Sequence, residues 1–167
     1  MARAALEQCR FHRILFVPTG APRYRTPAAA SGEHRVAMLR LALGDNPVYD
    51  IDARELLPSA SGYTVDTLRE LRLELGAGTE LWLLLGADQY AKLDTWHRPD
   101  DVRKLARLAV FERPGSNIAD RKARVIAFAP MNISASEIRA RVARGEDISA
   151  FVPPAVANYI AEHRLYA

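Results

Sequence analysis

The segment Leu81-Trp82-Leu83-Leu84-Leu85 is an unbroken apolar run closed by Gly86-Ala87-Asp88. Its shortness suits a strand, and the lack of polar alternation indicates a strand covered on both faces. Such coverage is typical of a parallel sheet flanked by helices, so this run points to an α/β fold. The rest of the chain agrees. Residues 13–17 form a second apolar run ending at Pro18-Thr19-Gly20, and residues 48–52 alternate with period two. Residues 108–111 and 125–129 complete five expected strands. Helical spacing predicts helices at 33–43, 65–75, 89–93, 100–106, 135–144 and 154–163, and Cys9 falls in a first helix. Ser31 is the expected N-cap of the 33–43 helix and Gly44 its end. In the 65–75 helix, Val65, Leu68, Leu71 and Leu75 share the inward face. This order predicts a Rossmann-like, doubly wound parallel sheet with ligands at the carboxyl ends of the strands. The loops at 18–31, 86–97, 113–117 and 130–136 are therefore the places to look for chemistry.

A length of 167 residues suits a single domain spanning 1–167, and no linker or repeat divides it. There is no apolar run long enough to cross a membrane and no signal-peptide pattern at the start, so a cytoplasmic protein is expected. The lone cysteine, Cys9, cannot form an internal disulfide. The net charge of +3 comes mostly from arginines scattered along the chain. The longest basic stretch, Arg121-Lys122-Ala123-Arg124, has no interleaved aromatics, so no nucleic-acid partner is expected.

Several segments carry both a packing reading and a chemical one. In Asn132-Ile133-Ser134-Ala135-Ser136-Glu137-Ile138-Arg139, Ser134 and Glu137 fit a capping box. That reading leaves Arg139 unexplained, whereas two hydroxyls, free helix N–H groups and an arginine make a seat for a polyphosphate. Asp88 either caps a short helix after Gly86 or accepts from a sugar hydroxyl. Trp96, in Thr95-Trp96-His97-Arg98, either packs or stacks on a flat ring. In Ser61-Gly62-Tyr63-Thr64, Thr64 is an N-cap candidate, and the amides beside it could hold a carboxylate. The four histidines and Cys9 lie far apart, so no protein-built metal site is expected. Walker, G-x-G-x-x-G and G-x-S-x-G patterns are absent.

Taken in order, these segments resemble the bacterial nicotinate-nucleotide adenylyltransferases of the nucleotidyltransferase α/β-phosphodiesterase superfamily. The resemblance covers nearly the whole chain, including Glu33-His34-Arg35-Val36-Ala37-Met38-Leu39, Arg113-Pro114-Gly115 and the C-terminal Val152-Pro153-Pro154. The serine-rich segment ending in Arg139 is superfamily-wide, whereas Gly62-Tyr63-Thr64 with Thr95-Trp96 points to the nicotinate branch. The resemblance implies adenylyl transfer from ATP to nicotinate mononucleotide, giving deamido-NAD and pyrophosphate, with Mg²⁺ accompanying ATP. It implies that Ser134, Ser136 and Arg139 hold the polyphosphate and that Gly86 and Asp88 meet the adenosine ribose. It further implies that Trp96 stacks on the pyridine ring, while Thr64 and amides near Tyr63 and Trp96 take its carboxylate. Arg25 stands where the family has a lysine for substrate phosphate, and Tyr24 where it has a histidine.

The family also opens with a strand, a Gly-Gly-Thr-Phe-Asp-Pro turn and a His-x-Gly-His motif, none of which is in this sequence. No catalytic side chain is therefore assigned, and weak or absent turnover is expected. The missing strand would be the central one. Its two neighbours would then expose unpaired edges or pair with each other. The expectation is a true start upstream of Met1, which in-frame translation of the upstream DNA would check. A non-catalytic nucleotide-binding fragment and a sister enzyme such as pantetheine-phosphate adenylyltransferase are the alternatives. The sequence leaves the oligomeric state open.

Overall fold

Helix and strand alternate as the apolar periodicities require. A computed structural model describes residues 1–20, 28–112, 122–128 and 133–167. The first half runs α1 (Ala2–Cys9), β1 (Ile14–Phe16), α2 (Gly32–Leu43), β2 (Tyr49–Ile51) and α3 (Thr64–Leu75). Then follow β3 (Trp82–Gly86), α4 (Ala87–Tyr90), α5 (Pro99–Leu105), β4 (Arg107–Phe111), β5 (Ala123–Ile126), α6 (Ala135–Ala143) and α7 (Pro154–Glu162). Short 3₁₀ turns lie at Arg54–Leu56 and Leu93–Thr95.

All strand pairs are parallel, as expected of this class, and the strands form two ladders. β1 pairs with β2, placing Leu15 opposite Asp50. β4 lies between β3 and β5, with Leu84 opposite Ala109 and Val110 opposite Val125. The chain divides into two compact units, one of Met1–His12 with Ser61–Pro130 and one of Arg13–Ala60 with Met131–Ala167.

In the first unit, Val65 and Leu68 of α3 pack with Leu93, Val102, Ala106 and Leu108. Leu75 does not join them. It is 50% exposed at the last turn of α3, contrary to its expected inward position. The strand expected to be covered on both faces, β3, is only half-buried at Trp82, Leu83 and Leu84. Among the described residues it pairs with β4 alone, at the edge of its ladder. The fully covered strand is β4, where Leu108, Ala109, Val110 and Phe111 are each no more than 5% exposed. In the second unit, Ser31 caps α2 as expected, its Oγ accepting from the His34 N–H at 3.3 Å. Val156 and Ile160, one turn apart on α7, pack with Ile148, Leu165, Met38 and Val142. Pro154 begins α7, where its missing N–H costs nothing.

Candidate active site

The carboxyl end of β3 delivers Gly86, which is the N-cap of α4. Asp88 is therefore inside α4 rather than its cap, and it is exposed. Its Oδ2 accepts from Gln89 Nε2 at 3.3 Å. A Cβ built on Gly86 would lie 2.8 Å from Asp88 Oδ1, so the carboxylate folds back over the glycine. The open space at Gly86 is filled by the very acid that the sequence reading paired with it.

On the same unit, Tyr63 is the N-cap of α3 and Thr64 its first residue, which corrects the expectation that Thr64 is the cap. Ser61 Oγ accepts from the Tyr63 N–H at 3.1 Å and donates to Asp66 Oδ2 at 2.7 Å. The first N–H groups of α3 have no carbonyl one turn back, so this end of the helix favours a negative group. Trp96 follows the Leu93–Thr95 turn, its N–H donating to the Leu93 carbonyl at 3.0 Å. Its ring is half-buried against the core of Val65, Leu68 and Leu93, so the packing reading holds for one side of it. The next residue, His97, stacks on Tyr63 with centroids 4.2 Å apart and planes 29° apart. This contact joins the Gly62-Tyr63-Thr64 segment to the Thr95-Trp96-His97 segment.

In the other unit, α6 presents Ser134, Ser136 and Arg139, all exposed. Ser134 Oγ accepts from the Glu137 N–H at 3.1 Å, the expected cap. Ser136 Oγ accepts from Arg139 Nη2 at 3.0 Å. Each hydroxyl has thus accepted one N–H and keeps its own proton to donate. The Glu137 carboxylate does not complete a capping box on Ser134. It pairs instead with Arg141 at 3.1 Å and Arg144 at 3.5 Å, further along the helix. The start of α6 thus offers hydroxyl protons, unsatisfied N–H groups and a guanidinium together.

Arg25, Tyr24, Arg113-Pro114-Gly115 and Asn132 lie outside the described residues. Among the described residues no three His, Cys, Asp or Glu side chains gather to hold a metal ion. Nor is any described helix long and apolar enough to cross a membrane. A shallow groove of about 450 Å³, lined by Arg72, Thr79, Glu80, Lys104 and Arg107, precedes β3 and β4 and holds none of the predicted site residues. The sequence reading missed the contact of His97 with Tyr63 and the ion pair of Arg69 with Asp101 behind it. Local spacing gives no signal for pairs so far apart in the chain.

Parallel α/β pairing, a glycine-ended strand and a serine–arginine helix start fit a nucleotidyltransferase-type fold. Comparison with known proteins agrees, since the cytidylyltransferase-like family matches residues 1–141. The chain belongs to that family. Among its relatives is the probable nicotinate-nucleotide adenylyltransferase of Laribacter hongkongensis, 41% identical over 99% of this chain and 86% of that one. The protein of the same name from Chromobacterium violaceum is 36% identical over 99% of this chain and 90% of that one. Among solved structures, the Plasmodium falciparum nicotinic acid mononucleotide adenylyltransferase complexed with NaAD superimposes with a TM-score of 0.76. That match covers 93% of this chain and 83% of that one at 20% identity, a likeness of fold.

Proposed function

We propose that this protein transfers the adenylyl group of ATP to nicotinate mononucleotide, forming deamido-NAD and pyrophosphate in NAD biosynthesis. The observation that carries the reading is the Tyr63–His97 stack, which sets Thr64 and Trp96 on neighbouring segments. The similarity to proteins bearing that activity's name supports it.

In this reading the mononucleotide phosphate attacks the α-phosphorus of ATP in line, and pyrophosphate leaves. No covalent enzyme intermediate is needed. Rate comes from alignment and from neutralising charge as it spreads over the phosphates. Ser134 and Ser136 donate to polyphosphate oxygens, Arg139 supplies positive charge, and the N–H groups of α6 add to it. Gly86 and Asp88 meet the adenosine ribose, the carboxylate accepting from a hydroxyl. The free face of Trp96 stacks on the pyridine ring. The Tyr63 and Trp96 N–H groups are already bonded within the protein. The nicotinate carboxylate is therefore left to the Thr64 side chain and to the N–H groups of Thr64 and His97. Arg25 takes substrate phosphate. Mg²⁺ would enter as part of the MgATP substrate and would supply positive charge against the phosphates. The whole chain, 1–167, acts as one nucleotidyltransferase domain in the cytoplasm, without nucleic acid or membrane.

The 167-residue sequence contains no His-x-Gly-His. Without imidazole donors on the phosphates, we expect this chain to bind both substrates and turn them over weakly or not at all. Calorimetry and a pyrophosphate-release assay test this with MgATP and each of nicotinate mononucleotide, nicotinamide mononucleotide and phosphopantetheine. The expected result is binding of ATP and nicotinate mononucleotide, with any product formed from the nicotinate substrate. Preference for phosphopantetheine would move the chain to the sister activity. Turnover at the full rate of an adenylyltransferase would refute the expected weakness.

A further inference from the structure

We infer that Arg69 is a positioning residue for nicotinate recognition, tying the Tyr63–Thr64 helix start to the Trp96–His97 turn. The inference rests on the substrate proposed above. Arg69 lies in the second turn of α3. Its Nη1 donates to Asp66 Oδ1 at 2.9 Å and its Nη2 to Asp101 Oδ2 at 2.9 Å. Asp66 holds Ser61, and Ser61 holds the Tyr63 N–H. On the other side, Asp101 Oδ2 also pairs with Arg98 Nη2 at 2.8 Å. Arg98 directly follows His97 and has a left-handed backbone, with φ at 53°. A non-glycine residue holds that conformation when its surroundings fix it, and here Arg98 is the N-cap of α5, its carbonyl accepting from the Asp101 N–H at 3.1 Å and the Val102 N–H at 3.2 Å. A chain of hydrogen bonds ending in an ion pair thus runs from the Tyr63 amide through Arg69 to Arg98. The Tyr63–His97 stack closes it into a ring.

The physical role of Arg69 is geometric. Ion pairs this exposed add little to stability. A planar guanidinium with two donors nevertheless sets the separation of two carboxylates in a way a single ammonium does not. One carboxylate is on the helix that starts at Thr64 and the other on the helix that follows Trp96-His97, the two segments proposed to face the pyridine ring. Nicotinate and nicotinamide differ at the one group those segments address: a carboxylate only accepts, whereas an amide also carries an N–H₂. Amide donors held at a fixed spacing favour the carboxylate and leave the N–H₂ unpaired. Loosening the spacing removes that preference before it removes binding.

Calorimetry on the 167-residue chain tests the inference without requiring turnover, using wild type, Arg69→Met and Arg69→Lys. Wild type is expected to bind nicotinate mononucleotide more tightly than nicotinamide mononucleotide. Arg69→Met should weaken the nicotinate form about tenfold, shrink the preference, and leave ATP affinity within about twofold. Arg69→Lys, able to hold one carboxylate at a time, should fall between. Circular dichroism checks folding, and if Arg69→Met fails to fold, the lysine variant alone carries the test. An unchanged preference in a folded variant overturns the inference while leaving the proposed substrate standing. A wild type that shows no preference overturns the substrate reading, and the role of Arg69 falls with it.

Discussion

Gly20 and Gly86 are both crowded, and the kind of crowding gives them opposite predictions. A Cβ on Gly20 would lie 2.2 Å from the Glu55 carbonyl oxygen, a backbone atom in the 3₁₀ turn after β2. A Cβ on Gly86 would lie 2.8 Å from Asp88 Oδ1, the end of an exposed side chain. Backbone cannot move aside cheaply, whereas a carboxylate rotates away. Gly20→Ala should therefore lose about 1–3 kcal/mol, read as a lower urea midpoint. Gly86→Ala should keep its midpoint, because its φ of −75° suits any residue. It should instead displace the Asp88 carboxylate and weaken ATP binding. If calorimetry found ATP affinity unchanged in Gly86→Ala, the ribose role of Asp88 would be wrong. Gly86 was legible in the sequence because it ends an apolar run. The constraint on Gly20 was not, because the Glu55 carbonyl that imposes it comes from a separate turn.

At the scale of elements, α1 meets the edge of the β3-β4-β5 sheet through the side chain of Gln8 and through its carbonyl, which accepts from Arg124 of β5. Gln8 Nε2 donates to the Ala127 carbonyl at 2.8 Å, and its Oε1 accepts from the Ala127 N–H at 3.0 Å. The amide thus imitates one ladder rung just past β5, which among the described residues pairs with β4 alone. Gln8→Ala hands both groups to water and should cost about 0.5–1.5 kcal/mol. The amide proton of Ala127 should exchange faster, and unchanged protection would show that the clamp is idle. Between α6 and α7, the Asp147 carboxyl is held below the usual range. The Ser149 hydroxyl is the main cause and the Ser149 N–H the next. A lowered folded-state pKa means a contribution present above the unfolded value and lost as pH falls through the folded one. Ser149→Ala should raise the Asp147 pKa towards the ordinary value in a carbon-13 titration. The carboxyl is fully exposed, so the effect stays local. Helices and strands lie within a few residues of where periodicity puts them. The Gln8 clamp could not be read there, since a polar side chain gives no pattern that names a partner far along the chain.

Across the whole molecule, hydrophobic pattern reported which segments are strands but not which strand sits between two others. The uniform run of β3 looks more buried than Arg107-Leu108-Ala109-Val110-Phe111, yet β4 has the two neighbours. Charge behaves similarly. The sequence total of +3 shows no cluster, and the structure shows how much of the positive charge is answered. Arg54 pairs with Asp52, Arg103 with Asp94, Arg107 with Glu80, and Arg141 and Arg144 with Glu146. Nucleic-acid binding needs a stripe of cations free to displace counterions from many phosphates, and its affinity then falls steeply with salt. Arginines already joined to carboxylates release little counterion when a phosphate arrives. A gel-shift series with duplex and single-stranded DNA should therefore show no retained complex at salt of about 0.15 M. ATP, which the proposed function seats at one helix start and Arg139, should still bind by calorimetry in the same buffer. A retained DNA complex that weakens steeply as salt rises would reverse this reading and make the basic balance of the chain an adaptation for nucleic acid.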